Sequence, residues 1–189
     1  MIKKLIHESI ESHQKTTGLI DNYLIEKVKS SSSLIIEALR NSKKVMWCGN
    51  GGSAAQANHL SAELVGGMYT KKIEPFASIC LNSDTAFITA WSNDDSFENV
   101  FLRQLQSLGC KGDVLLALST SGNSKNIINA ARYALDNGIK VISLTGDSGG
   151  VIKEFSDINI NVPSNDTQRI QEIHILIGHI ICDIIENNI

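Results

Sequence analysis

The feature that most restricts this chain is an alternation of two periodicities. Short, nearly continuous apolar runs stop at glycine- or serine-rich loops, and stretches with helical spacing lie between them. Lys44-Val45-Met46-Trp47-Cys48 stops at Gly49-Asn50-Gly51-Gly52. Residues 77–81 form a second run, and Asp113-Val114-Leu115-Leu116-Ala117-Leu118 a third that ends at Ser119-Thr120-Ser121-Gly122. Lys140-Val141-Ile142-Ser143-Leu144 is a fourth, and residues 157–162 alternate polar with apolar, as a strand near an edge does. Helical patterns cover about 54–65, 85–92, 99–108 and 124–137. Strands that are apolar on both faces and alternate with helices belong to a parallel sheet covered on both sides. The pattern predicts an α/β class: a doubly wound, five-stranded parallel sheet flanked by helices.

Two helical stretches precede any strand, at about 2–17 and 21–42, with Gly18 between them. They read as an N-terminal helical hairpin that needs a partner surface, either the domain itself or another subunit. A closing helix over about 167–188 is apolar nearly all round, which predicts burial, with a subunit interface as one place for it. No repeat, linker or low-complexity tract divides the chain.

Composition removes several classes. A net charge of −3 leaves no basic footprint, so nucleic acid is not an expected partner. The start, Met1 to Leu5, turns polar at His7-Glu8-Ser9 before any apolar core or cleavage site forms, so no signal peptide is expected. The nearest approach to a membrane span, 173–185, is too short and carries His174, His179 and Asp183. Cys48, Cys80 and Cys182 lie in apolar runs and Cys110 forms no CxxC pair. They read as inert thiols of a reducing, cytoplasmic compartment.

In an open parallel sheet, ligands bind beyond the carboxyl ends of the strands. Two such ends carry unusual loops. Gly49-Asn50-Gly51-Gly52-Ser53 lets backbone N–H groups approach an anion and leads into a helix N-terminus. Ser119-Thr120-Ser121-Gly122-Asn123-Ser124 adds hydroxyl donors, again before a helix. Together they suit a phosphate monoester. The plainer reading is a tight turn in the first loop and an N-cap at Ser124 in the second. Neither loop is a P-loop, because no GKS or GKT follows.

His59 and Glu63 are four apart and share a helix face, and Gln171 and His179 are eight apart on the closing helix. All four side chains can bind a metal or move a proton. The plainer reading is an ordinary helical pair and partnered core polar groups. His174 faces away from the Gln171–His179 line and reads as structural, and His7 and His13 as surface or interface residues.

The segments CGNGGSAAQANHLSAEL, GDVLLALSTSGNS, VISLTGDSGG and RIQEIHILIGH, in this order and spacing, closely resemble the phosphoheptose isomerases of the sugar-isomerase (SIS) superfamily. The resemblance runs from about Val45 to the C-terminus and is weaker before it. It implies residues 1–42 as oligomerisation helices and 43–189 as the SIS-type domain, within one structural domain. It also implies a homotetramer with active sites at subunit interfaces. The implied reaction converts sedoheptulose 7-phosphate to D-glycero-D-manno-heptose 7-phosphate, the first step towards activated heptose for lipopolysaccharide or capsule. By position, zinc ligands fall on His59, Glu63, Gln171 and His179. Substrate contacts fall on Asn50, Gly51, Gly52 and Ser53, on Glu63, on Asn93 and Asp94, on Ser119, Thr120, Ser121 and Ser124, and on Gln171. Gly67 stands where a basic residue is expected, and Gln168 where some relatives carry an acid.

A cis-enediol route needs a base beside C1 and C2 and a group for the oxygen protons. Glu63 is the expected base and His179 the expected acid/base. A carboxylate on zinc is a weaker base, and an amide is a weak zinc ligand. The expected metal is therefore weakly held and exchangeable. The competing readings are a non-catalytic relative that binds the replication initiator, and a regulatory sugar-phosphate domain. The second usually accompanies a DNA-binding domain, which this sequence lacks. The first, as its pattern is understood, lacks counterparts of Glu63 and His179.

Overall fold

A computed structural model describes residues 1–69 and 74–189. In chain order the elements are α1 (Ile2–Gly18), α2 (Asn22–Arg40), β1 (Val45–Gly49), α3 (Gly52–Gly66), β2 (Ser78–Cys80), α4 (Thr85–Asp94), α5 (Val100–Leu108), β3 (Val114–Leu118), α6 (Lys125–Asp136), β4 (Lys140–Thr145), β5 (Ile158–Asn161) and α7 (Thr167–Glu186). Single 3₁₀ turns lie at Phe97–Asn99 and Val151–Phe155.

The sheet has the order β2-β1-β3-β4-β5, and every pairing is parallel. From β1 the chain crosses one way to β2 and the other way to β3. The crevice of a doubly wound sheet opens where that direction reverses, at the carboxyl ends of β1 and β3. The glycine loop and the serine loop both start there.

Strand residues alternate between the faces. Val45, Trp47, Val114, Leu116 and Leu118 pack with α2, α3 and α7 in one buried cluster. Met46, Cys48, Leu115 and Ala117 pack with α5 and α6 in the other. Helix α2 is thus part of the core through Leu24, Val28, Ile35 and Ala38. It starts at Asp21, whose side chain accepts from the Leu24 N–H at 2.9 Å.

One expectation changes, and the outer faces of α7 and α1 stay open in the single chain. The second strand is only three residues long, and its Ile79 is 38% exposed, as β2 is an edge of the sheet. Helix α7 is not buried all round: Ile173, Ile177 and Ile181 face the core while Leu176 and Ile180 stay exposed. Helix α1 buries only Thr16 and leaves Ile2, Leu5, Ile6 and Ile10 in solvent. Among the described residues no helix is long and apolar enough to cross a membrane.

Candidate active site

The glycine loop closes by backbone geometry. Gly51 has φ +54, and a Cβ on Gly49 would lie 2.6 Å from the Ser53 backbone. Ser53 and Ala54 spend their N–H groups on the carbonyls of Asn50 and Gly51, at 3.0 and 3.1 Å. Among the described residues, those of Gly51 and Gly52 at the start of α3 have no acceptor. Gly52 also makes room for Gln171, whose amide nitrogen would be 2.7 Å from a Cβ there. Gln56 fixes that stretch of α7 by donating to the Gln171 carbonyl at 2.6 Å.

The serine loop begins with a turn in which Gly122 N–H donates to Ser119 C=O at 3.0 Å. Ser121 Oγ accepts from the Asn123 N–H at 3.1 Å. Ser124 stands at the N-cap of α6, yet its hydroxyl makes no capping bond. It lies 3.5 Å from the Ser119 hydroxyl instead, so the capping explanation for this serine does not apply. The amides of Thr120, Ser121 and Ser124 are left without acceptors among the described residues. These groups can satisfy the oxygens of an anion without a lysine or arginine. The Gly-Gly pair of the TGDSGG segment has a packing role. A Cβ on Gly122 would come 2.2 Å from the Gly149 carbonyl oxygen, so the serine loop can rest on Gly149 and Gly150 only as glycine.

Helices α3 and α7 bring His59, Glu63 and His179 together. Their ligand-type atoms all lie within 4.8 Å of one another. The two imidazoles face each other through their Nε2 atoms at 2.8 Å, ring edge to ring face. Glu63 lies 3.4 Å from His59 Nε2. His59 is half exposed and Glu63 about a quarter. Two imidazole nitrogens and a carboxylate oxygen converging from two helices are donors that zinc accepts, and the trio fits such an ion. Gln171 lies two turns of α7 before His179, roughly 12 Å along the axis, with its amide against Gly52. The trio forms one cluster of ionisable ligands, and the Gln171 amide stands against the glycine loop.

Asn93 and Asp94 end α4, are exposed, and bond to each other at 2.8 Å. No hydrogen bond links them to either loop among the described residues. Gly67 ends α3 with φ +79, a conformation that suits glycine better than a basic side chain. Gln168 receives the cap of Asp166 through its backbone. His174 is fully buried and donates towards the Thr145 carbonyl at 3.2 Å, and burial pushes its pKa down to about 4. His13 lies 2.7 Å from Glu172 and ties α1 to α7. Burial pushes the Cys182 thiol up to about 12, with the carboxylates of Glu63 and Glu186 adding to it, so it is no nucleophile at neutral pH.

Two residues outside the sequence reading serve the site. Asn82, just after β2, grips the Gly49 backbone with both ends of its amide, at 3.1 and 2.9 Å. Asn126, in the first turn of α6, pairs with the Asn50 side chain. Both lie at carboxyl ends of strands or in the helix turn just beyond, a place the ligand rule already marks. Two cavities of about 520 and 530 Å³ lie elsewhere, between α4 and α5 and at the amino ends of β3 and β4. In the single chain the candidate site is an open face.

Comparison with known proteins agrees with this geometry. The SIS domain family model matches residues 11–146. A phosphoheptose isomerase of Aliarcobacter butzleri is 46% identical over 188 residues, covering 100% of this chain and 99% of the relative. One from Nitratiruptor sp. is 47% identical, covering 97% of each chain. Among solved structures, a phosphoheptose isomerase from Francisella tularensis has TM-score 0.96 at 36% identity, with 100% of both chains covered. Phosphoheptose isomerase GmhA from Neisseria gonorrhoeae has TM-score 0.91 at 38% identity, over 98% of this chain and 99% of that one.

Proposed function

The chain belongs to the SIS-domain family and, within it, to the phosphoheptose isomerases, and from that membership we propose how it works as an aldose–ketose isomerase. The substrate is sedoheptulose 7-phosphate and the product D-glycero-D-manno-heptose 7-phosphate. The observation that carries this reading is the convergence of His59, Glu63 and His179 on the helices that flank the anion-ready loops. The cluster begins seven residues into α3, roughly 10 Å along the helix axis from Gly52. That separation suits a substrate held by a terminal phosphate at one end and reacting at the other.

The serine loop binds the phosphate through the free amides and through the hydroxyls of Ser119, Thr120, Ser121 and Ser124. The amides of Gly51 and Gly52, with Asn50 and Ser53, complete that end. Binding there holds C1 and C2 at the base, so remote contacts lower the barrier by placement. Glu63 removes the C1 proton of the ketose and delivers it to C2 through a cis-enediol. His179 moves the proton between O1 and O2. Its Nε2 stands 2.8 Å from that of His59. Gln171, at the glycine loop, contacts the sugar, as Asn93 and Asp94 do.

His59, Glu63 and His179 would hold zinc, with Gln171 as the fourth donor that the family resemblance implies. Bound zinc would supply electrostatic stabilisation of the negative oxygen that develops in an enediol. A carboxylate shared between ion and substrate suits weak, exchangeable binding.

The assembly proposed is a cytoplasmic homotetramer, in which residues 1–42 serve oligomerisation and 43–189 form the catalytic domain. The exposed Ile2, Leu5, Ile6 and Ile10 of α1, with Leu176 and Ile180 of α7, support it. The product would feed lipopolysaccharide or capsule. Nothing favours the initiator-binding alternative, since both proton carriers it is taken to lack are present here.

The test is incubation of purified protein with sedoheptulose 7-phosphate and supplied zinc. Appearance of the aldose phosphate supports the reading. No product from an intact assembly would reassign the site to another sugar phosphate.

A further inference from the structure

The glycine loop and the helix that follows the serine loop are joined by a pair of amides. Asn50 Nδ2 donates to Asn126 Oδ1 at 2.9 Å, and Asn126 Nδ2 donates back to Asn50 Oδ1 at 2.9 Å. Asn126 is only 3% exposed and Asn50 is partly buried, so the Asn126 side of the pair is shielded from competing water. A third bond decides which way both amides face. The Ile127 backbone N–H donates to Asn126 Oδ1 at 3.0 Å. Only the oxygen of a carboxamide accepts, so that bond sets the orientation of Asn126, and the pairing then sets Asn50.

We propose that Asn126 is a positioning residue for the isomerase reaction, acting through Asn50. The paired Asn50 has spent one N–H and one lone pair on Asn126. It keeps one N–H and one lone pair, in a fixed sense, for a sugar hydroxyl. The pair also sets the distance between the glycine loop after β1 and the first turn of α6, and so between the two halves of the phosphate end. Asn82 gives the same loop a second hold through the Gly49 backbone. This inference rests on the isomerase reading for its substrate, and on the free protein for its geometry.

Asn126→Asp tests it with almost no change of shape. One aspartate oxygen still accepts from Ile127 and Asn50, but the other meets Asn50 Oδ1, acceptor against acceptor. Asn50 must leave its fixed orientation. The expected result is a fall in kcat/KM for sedoheptulose 7-phosphate of roughly tenfold or more. In an Asn50→Ala background the same substitution should cost nothing further, because the group it acts through is gone. A purely structural role would lower kcat/KM equally in both backgrounds, and that result overturns the proposal, as does a fully active Asn126→Asp. The second arm needs no substrate. In nitrogen-15 spectra of the free protein, the Asn50 side-chain amide protons should be dispersed and slow to exchange. In Asn126→Asp they should move to the position of a free amide, and unchanged signals would refute the pairing. Wild type without turnover would sink the isomerase reading, and the amide signals would then decide the pairing alone.

Discussion

His174 gives the acid side of the stability curve a calculable slope. The ring is fully buried and, among the described residues, bonds only through Nε2 to the Thr145 carbonyl and leaves Nδ1 without a partner. Burial costs the charged ring its solvation and the Thr145 carbonyl offsets only part of that, so its pKa falls from 6.5 to about 4 on folding. Between those values the unfolded chain binds the proton and the folded chain does not, so stability is lost as pH falls through the window. At about 1.36 kcal/mol per unit, the full loss approaches roughly 3 kcal/mol below pH 4. From pH 7 to pH 5 the loss is about 2 kcal/mol. With a urea slope of roughly 2–3 kcal/mol per molar, the midpoint should drop by about 0.7–1 M. His174→Gln keeps a donor for Thr145 and cannot titrate. Other groups titrate alike in both proteins, so the wild-type shift minus the variant shift isolates His174. The assay is urea unfolding at both pH values and one fixed protein concentration, since assembly alters apparent stability. Equal shifts in the two proteins would refute the reasoning.

The other expectations follow from the loops and from α1. Ser121→Ala and Ser124→Ala should each raise KM more than they lower kcat in steady-state assays, because their hydroxyls bind the phosphate rather than the reacting carbons. The reverse split would remove them from the phosphate site. Gly122→Ala puts a methyl group 2.2 Å from the Gly149 carbonyl oxygen at φ +65. It should cost roughly 2–4 kcal/mol and lower Tm by about 5–10 °C in calorimetry; an unshifted Tm would mean that the loops part at little cost. Replacing the exposed Leu5 and Ile6 with Asp should leave the fold, read by circular dichroism, and dissociate the proposed tetramer in light scattering. An unchanged mass would take α1 out of the interface.

The sheet was legible because each strand reports its own surroundings. Val114 to Leu118 is apolar at every position, and only a central strand between two helical layers is buried on both faces. The edge at β2 was harder, because the run over residues 77–81 reads as a strand while its exposure at Ile79 depends on β2 lying at the end of the strand order. The His59–Glu63 pair could be read from its helical spacing. That His179 meets it came only from the family resemblance, since spacing alone does not tell how α3 lies along α7. The place of Gln171 was hidden for the same reason: it follows from the missing side chain at Gly52. Asn126 sits inside a helix pattern, where asparagine has no single meaning. Its role appears only when the sheet order sets β1 beside β3.

The central claim is that Glu63 carries the proton between C1 and C2. The most direct measurement is turnover of sedoheptulose 7-phosphate in D₂O by wild type and by Glu63→Gln, with product followed by NMR. The account predicts that wild type delivers the C1 hydrogen to C2 of the aldose, with deuterium entering C2 only as far as the proton on Glu63 exchanges with solvent before delivery, and a rate for Glu63→Gln lower by roughly 10²–10⁴-fold in a protein that stays folded and assembled. Near-normal turnover by Glu63→Gln would contradict it.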